Sequence, residues 1–284
     1  MPRSADISPL SVLLSHMDAV SDGAQASDTI ASGFPSLDKI LGGGLRRGDL
    51  VALGGDAASG KSALALAIAL RASLSGASVA FLTTEMSVDR VLERIIAIES
   101  RTQIDDLRHG ALDDATRANA GAVALRLREC LPLVERLNTG TGITGVADLL
   151  DSMTALDLVV VDTVAALAPG QFPLAEETAA ALRGLKSLAL DRSIAILTTA
   201  PLPNLSERAD RRPTLDDFGA LGSVKQCADV VLGLFRPDMY EPSRDIAGAT
   251  ELVVRKNRNG PTGYVDLYFY AQWMRFEDML DPDR

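Results

Sequence analysis

Apolar residues along this chain fall into two kinds of run. Leu50-Val51-Ala52-Leu53, Val79-Ala80-Phe81-Leu82 and Leu158-Val159-Val160-Val161 are short and continuous, the pattern of parallel strands covered on both faces. Longer stretches with helical spacing lie between them. Together they predict strands over 49–54, 78–83, 156–162, 194–199 and 229–235, and helices over 60–73, 87–100, 114–129, 144–153 and 175–190. Strands alternating with helices imply an α/β fold with a doubly wound, mostly parallel sheet, right-handed crossovers and a ligand at the strand C-terminal ends. The chain closes differently: 251–256 and 264–270 flank Asn257-Arg258-Asn259-Gly260-Pro261, which predicts a C-terminal antiparallel hairpin with an Asn-Gly turn. No internal repeat interrupts this order.

The beginning is also distinct. Ser8 and Pro9 suit a helix start, and Leu10, Leu13, Leu14, Met17 and Val20 fall on one face of the helix they open. Residues 21–32 are rich in Ser, Asp, Ala and Gly and read as a flexible linker. Residues 1–32 are therefore expected to be a short amphipathic helix and linker, and 33–284 the main domain. The stripe on that helix must either fold back on its own domain or dock on a neighbouring subunit.

Composition narrows the classes. At 284 residues, with 47% hydrophobic and 23% charged positions, the chain can bury one large core. No apolar run approaches the roughly 18–20 residues that span a bilayer. Met1-Pro2-Arg3-Ser4-Ala5-Asp6 lacks a signal-peptide layout, so a cytoplasmic location without membrane contact is expected. Cys130 and Cys227 have no partner motif and are expected to be buried, inert thiols. With His16 and His109 the only histidines, a His-based metal site or Ser-His-Asp triad has almost no material. The net charge of −10 opposes non-specific coating of DNA, so nucleic-acid contact would need a local basic patch.

The chemistry concentrates at Gly55-Asp56-Ala57-Ala58-Ser59-Gly60-Lys61-Ser62, a Gly-x-x-x-x-Gly-Lys-Ser phosphate loop between a predicted buried strand and a predicted buried helix. Backbone N–H groups of such a turn converge on an anion. Lys61 would reach the β- and γ-phosphates of a nucleoside triphosphate, and the Ser62 hydroxyl would hold Mg²⁺. Asp162 closes a buried strand beside the loop and is placed to orient Mg²⁺ through water. Glu85, ending the stretch Val79–Thr84, is the best candidate to orient the attacking water. Lys256 and Arg258 stand near the hairpin tip, poorly placed for their own subunit's nucleotide. A solvated basic turn is the simpler reading of their spacing; the other is an arginine inserted into a neighbour's site. Arg208, Arg211 and Arg212 form the one dense basic cluster near the expected site, with few aromatics, which favours tracking of a nucleic-acid backbone over base stacking.

Several motifs in order carry a resemblance: Ser32-Gly33-Phe34-Pro35-Ser36-Leu37-Asp38, the phosphate loop, Thr84-Glu85-Met86, Glu207-Arg208-Ala209-Asp210-Arg211-Arg212-Pro213, Gly222–Asp229, Lys256–Pro261 and Gln272-Trp273-Met274-Arg275-Phe276. From about 31 to 276 the chain resembles the C-terminal motor domain of DnaB-type replicative helicases, a RecA-like fold. The resemblance implies ATP and Mg²⁺, Glu85 as catalytic glutamate, Asp162 on the Mg²⁺ side, and Lys256 and Arg258 acting in trans. It also implies a hexameric ring around single-stranded DNA. Three departures stand out. The family's large N-terminal helical domain is expected to be missing, with the short first helix read as the remnant of its linker helix. Thr198-Thr199-Ala200-Pro201 lacks the glutamine the family carries after its fourth core strand. Asp217-Phe218-Gly219-Ala220-Leu221-Gly222 lacks the arginine of the family's DNA loop, leaving backbone N–H groups, with close approach at Gly219, to hold phosphates. A regulatory or recombination ATPase resembling RadA or KaiC is the alternative, supported by Leu41-Gly42-Gly43-Gly44-Leu45. A small-molecule kinase leaves Arg258 without a role.

Overall fold

Strands that are apolar on both faces can exist only between two layers of helix, and the computed structural model places them there. It describes residues 9–21, 28–153, 155–203, 205, 208–241 and 246–279. In chain order the elements are α1 (Pro9–Ser21), β1 (Thr29–Ile30), α2 (Pro35–Ile40), β2 (Leu45–Arg46), β3 (Leu50–Gly55), α3 (Lys61–Leu74), β4 (Val79–Thr83), α4 (Val88–Ser100), α5 (Ile104–His109), α6 (Asp114–Leu127) and β5 (Leu133–Arg136). They continue with α7 (Gly142–Asp151), β6 (Leu158–Asp162), α8 (Leu174–Arg192), β7 (Ala195–Pro201), α9 (Ser223–Cys227), β8 (Val230–Phe235), β9 (Ala249–Asn257), β10 (Gly263–Tyr270) and β11 (Arg275–Asp278).

Among the described residues one sheet has nine strands, ordered β11-β10-β9-β8-β3-β7-β6-β4-β5. From β8 to β5 all neighbours are parallel, and β9, β10 and β11 continue antiparallel. Alternate residues of a strand face opposite sides, and the core divides accordingly. Val51, Leu53, Phe81, Val160 and Leu197 join the cluster of α3 and α4, whereas Leu50, Ala52, Leu82, Val159 and Val161 join that of α7 and α8. This is the doubly wound, RecA-like α/β architecture.

Local chemistry starts the helices where expected. The Ser87 hydroxyl accepts the Arg90 N–H at the head of α4, and the Asp113 carboxylate accepts the Thr116 N–H at the head of α6. The apolar pattern does not predict strands β5 and β11. Each has four residues, with charged positions and an edge location, so neither leaves an apolar run in the sequence. The hairpin also differs. Its strands pair only as far as Gly263 with Val254, and a five-residue loop, 258–262, replaces the two-residue Asn-Gly turn. The end of β9 is drawn to β8 instead, through a bulge at Arg255 between the pairs Val231–Lys256 and Leu232–Val254.

At the other end, Thr29 and Ile30, placed in the linker by composition, pair with Arg46 and Leu45; residues 22–27 of that linker lie outside the described set. Burial of Ile30 explains the pairing. On α1, Leu10, Leu14 and Met17 are 62%, 51% and 55% exposed, so these three do not pack on their own domain. Cys130 and Cys227 are free and only half-buried. No described helix is long and apolar enough to cross a membrane.

One side chain ties the phosphate-loop helix to the last strand. Arg71 of α3 donates to the carbonyls of Gly33 (2.7 Å) and Phe276 (2.7 Å), pairs with Glu277 (3.0 Å) and lies 4.1 Å from the Phe34 ring centre. Arg71→Ala would leave two carbonyls without this donor and Glu277 with only its bond from Arg275, and should cost about 2–4 kcal/mol. A denaturant titration checks this; a loss below about 1 kcal/mol would mean solvent replaces these bonds.

Candidate nucleotide site

Strand β3 is buried along all six residues and delivers the phosphate loop to the carboxyl edge of the sheet. Two glycines are required by the geometry. A Cβ on Gly55 would lie 2.7 Å from the Ser59 hydroxyl and 3.0 Å from the Leu234 carbonyl, and Gly60 has φ +100°, which L side chains avoid. From Gly60 the chain enters α3, where ten residues are buried. The first N–H groups of that helix have no partner within the helix and suit an anion.

The predicted residues Lys61, Ser62, Asp162 and Glu85 come together there. The Ser62 hydroxyl donates to Asp162 Oδ1 (3.0 Å), which also accepts from the Thr199 hydroxyl (2.5 Å). Asp162 is 2% exposed, and its Oδ2 is buried with no hydrogen-bond partner. An orphaned carboxylate oxygen beside a hydroxyl is an oxygen-only donor set suited to Mg²⁺, which needs few protein ligands when phosphates and water complete its shell. The residues therefore fit the ion. Glu85 lies two residues past Thr83, the register partner of Asp162, and is exposed at the same sheet edge. Lys61 donates to the Asp56 carbonyl (2.7 Å). Burial pushes the Lys61 pKa down, opposed by the carboxylates of Asp162, Asp56 and Glu85. A desolvated ammonium beside a ring of backbone N–H groups is arranged to bind a polyanion.

One further cation faces this cluster. Arg94 on α4 has a buried Nε without a partner, and burial lowers its pKa against the attraction of Asp162 first of all. Its sequence signal is a charge among core-facing positions, three residues after Val91 and next to Ile95, both buried. Thr199, hidden at the end of an apolar strand, leaves no such signal.

Lys256 and Arg258 lie elsewhere. Arg258 donates to Asp229 Oδ1 (3.2 Å) and to the Gln226 carbonyl (2.6 Å), and Lys256 donates to the carbonyls of Lys225 (2.7 Å) and Ala228 (2.5 Å). Asp229 also accepts from the N–H of Leu50, the first residue of β3. Arg258 is thus roughly 16 Å, one strand length, from its own phosphate loop.

The basic cluster is largely neutralised. Arg208 pairs with Asp217 through two bonds (2.9 and 3.0 Å) and donates to the Arg212 carbonyl. Arg212 forms two bonds to Glu251 (2.6 and 2.7 Å), which raise its pKa, and stacks over Phe235. Arg211 stacks on Tyr240, and its Nε is buried without a partner. The Gly219 N–H is taken by the Asp216 carbonyl, so it is not free for a phosphate here.

A glycine-rich loop between a buried strand and a buried helix, at the carboxyl edge of this doubly wound sheet, defines a RecA-like P-loop domain. Within that class the chain belongs to the DnaB-like helicase C terminal domain family, whose profile matches residues 29–278. It is 29% identical over 256 residues to the replicative DNA helicase DnaB of Leifsonia xyli subsp. xyli, and 26% identical over 270 residues to that of Geobacillus stearothermophilus. Each alignment covers 88% of this chain and 56% of the relative, so the chain spans just over half the length of these proteins. In fold it is similar to a separately solved ATPase domain, with a TM-score of 0.85 at 20% identity over 98% of this chain and 100% of that one. It is also similar to a DnaB-like replicative helicase whose structure was described with its interactions with primase, with a TM-score of 0.83 at 20% identity over 98% and 68% of the two chains.

Two variants probe the cradle. Lys61→Met should weaken Mg·ATP binding by roughly 10- to 100-fold, the value of a charge-assisted contact to phosphate, with little change in melting temperature. Asp162→Asn should raise the Mg²⁺ concentration needed for tight ATP binding. Equilibrium binding of a fluorescent ATP analogue over a Mg²⁺ series measures both, and an unshifted Mg²⁺ midpoint would remove Asp162 from the metal.

Proposed function

We propose that this chain is the ATP-hydrolysing motor of a DnaB-type DNA helicase or DNA-dependent ATPase, working in the cytoplasm as a ring in which sites are completed between subunits. The observation carrying this reading is the placement of the phosphate loop and Arg258 at opposite ends of β3. A subunit built this way cannot bring its own arginine to its own phosphates, whereas a head-to-tail neighbour can. In this scheme the backbone N–H groups of residues 55–62 hold the triphosphate, with the Lys61 side chain at its outer phosphates. Ser62 and Asp162 hold Mg²⁺, which would shield phosphate charge. Glu85 orients water, and Lys256 and Arg258 serve the neighbouring site once they leave Asp229 and the α9 carbonyls. Residues 33–284 form the motor. Helix α1, on which Leu10, Leu14 and Met17 are exposed, docks on an adjacent subunit of a hexamer. Single-stranded DNA passes the loop containing Arg208, Arg211, Arg212 and Gly219.

The pairing of Arg208 with Asp217 and of Arg212 with Glu251 favours a second reading, a RadA- or KaiC-like regulatory or recombination ATPase without unwinding. Steady-state ATP hydrolysis with and without single-stranded DNA, at low salt, separates the two, with Glu85→Gln as the blank. Strong stimulation supports the motor; equal rates move the lead to the regulatory reading.

Shared sites have their own signature. Arg258→Ala should abolish hydrolysis while leaving ATP binding intact, and mixing it with Lys61→Ala chains should restore part of the rate. Strict absence of rescue in an assembly shown to be mixed, by co-purification of differently tagged chains, would argue for a self-contained site.

A further inference from the structure

Asp56 is the one acid within the phosphate loop. Its carboxylate stands beside a site arranged for a polyanion, where an unrestrained negative charge would oppose binding. It is held at two points. Oδ1 accepts from the Ala57 N–H (2.7 Å), and Oδ2 accepts from the Tyr240 hydroxyl (2.7 Å), contributed by the segment after β8. The Lys61 ammonium meanwhile donates to the main-chain oxygen of Asp56 (2.7 Å) instead of its carboxylate.

Tyr240 is itself well fixed. Its N–H donates to the Pro237 carbonyl (3.0 Å), its ring stacks on Phe235 with centroids 5.8 Å apart, and the Arg211 guanidinium lies 4.9 Å from its ring centre. Burial, then the Asp56 carboxylate, push the phenol pKa up, so the hydroxyl remains a donor at working pH. A residue 184 positions away in sequence thus sets the direction of the loop's own acid.

We propose that Tyr240 is a positioning residue of the nucleotide site, whose hydroxyl holds the Asp56 carboxylate at the rim of the phosphate loop and keeps it from pairing with Lys61 and repelling the triphosphate. Without the phenol, the freed carboxylate has the Lys61 ammonium as its nearest loop cation, and an ion pair there competes with ATP for the same charge. The proposal rests on the ATPase reading above. It concerns binding common to ground and transition states, so the loss falls on KM and leaves kcat unchanged.

The test is a double-mutant cycle on the full chain, with Kd for a Mg²⁺-bound, non-hydrolysable ATP analogue measured by calorimetry and kcat measured at saturating ATP. Tyr240→Phe should raise Kd and KM about tenfold, at unchanged kcat, by freeing one loop charge. Asp56→Asn should bind as tightly as the unaltered chain or more tightly, and Tyr240→Phe in the Asp56→Asn background should bind like Asp56→Asn alone. A purely structural role for Tyr240 would give a loss that Asp56→Asn does not rescue, and that result overturns the proposal, as does unaltered affinity in Tyr240→Phe. Should Tyr240→Phe fail to fold, Asp56→Asn alone decides: weaker binding than the unaltered chain overturns the proposal. Absence of nucleotide binding by the unaltered chain overturns the ATPase reading and the proposal with it, whereas tight wild-type binding with a flat cycle overturns the proposal alone.

Discussion

Strand β3 is enclosed on every side, by β7 and β8 along its edges and by helices on both faces. A backbone in that position has no access to water, so each of its polar groups must be satisfied within the protein. At its entry this is done by Asp229, whose carboxylate accepts the Leu50 N–H while its own N–H donates to the Leu50 carbonyl. At its exit the strand runs into the glycine loop and the head of α3. Close packing also dictates residue type there, since a Cβ on Gly54 would meet the Phe218 ring at 2.5 Å. The two chemically active ends of the domain are therefore the two ends of one buried strand.

Asp229 gives the entry end a second property. Besides Leu50 it holds Lys186 (2.6 Å) and Arg258 (3.2 Å), while Lys256 caps the carbonyls at the end of α9. The bulge at Arg255 changes the pairing of β9 with β8 just before these two cations. Residues that would serve a neighbouring subunit are thereby tied to the short helix that follows Gly219 and Leu221. In the proposed ring, movement of these cations toward a neighbour would disturb α9 and so connect the proposed inter-subunit site with the loop region.

Charge is handled locally throughout. The chain carries a net −10, and its arginine-rich loop spends Arg208 and Arg212 on carboxylates of its own domain. Any backbone contact with DNA must compete with those pairs, which lowers the gain from each arginine. The phosphate cradle is the contrary case. Lys61 rests on a carbonyl oxygen and not on a carboxylate, so its charge is not already paired; burial pushes its pKa down and the carboxylates of Asp162, Asp56 and Glu85 pull it back up.

The apolar runs by themselves determined the parallel strands other than β5 and the helices α3, α4, α6, α7 and α8, and the Gly-x-x-x-x-Gly-Lys-Ser pattern determined the loop at 55–62, because burial on both faces and phosphate binding each impose residue types over consecutive positions. They also brought Lys61, Ser62, Asp162 and Glu85 to one edge, since each lies at or just beyond the end of an element whose direction is set by the alternation. The edge strands β5 and β11 are illegible because strands of four residues with one open edge need no apolar run. The partners of the arginines are equally hidden: Asp217, Glu251 and Asp229 look like ordinary surface acids in sequence, and only chain folding brings them within hydrogen-bond reach. Arg94, Thr199 and Tyr240 reach the site from separate elements, with Tyr240 acting through Asp56. Tertiary structure alone decided those placements, because a side chain's function there depends on which distant backbone it faces and not on its neighbours along the chain.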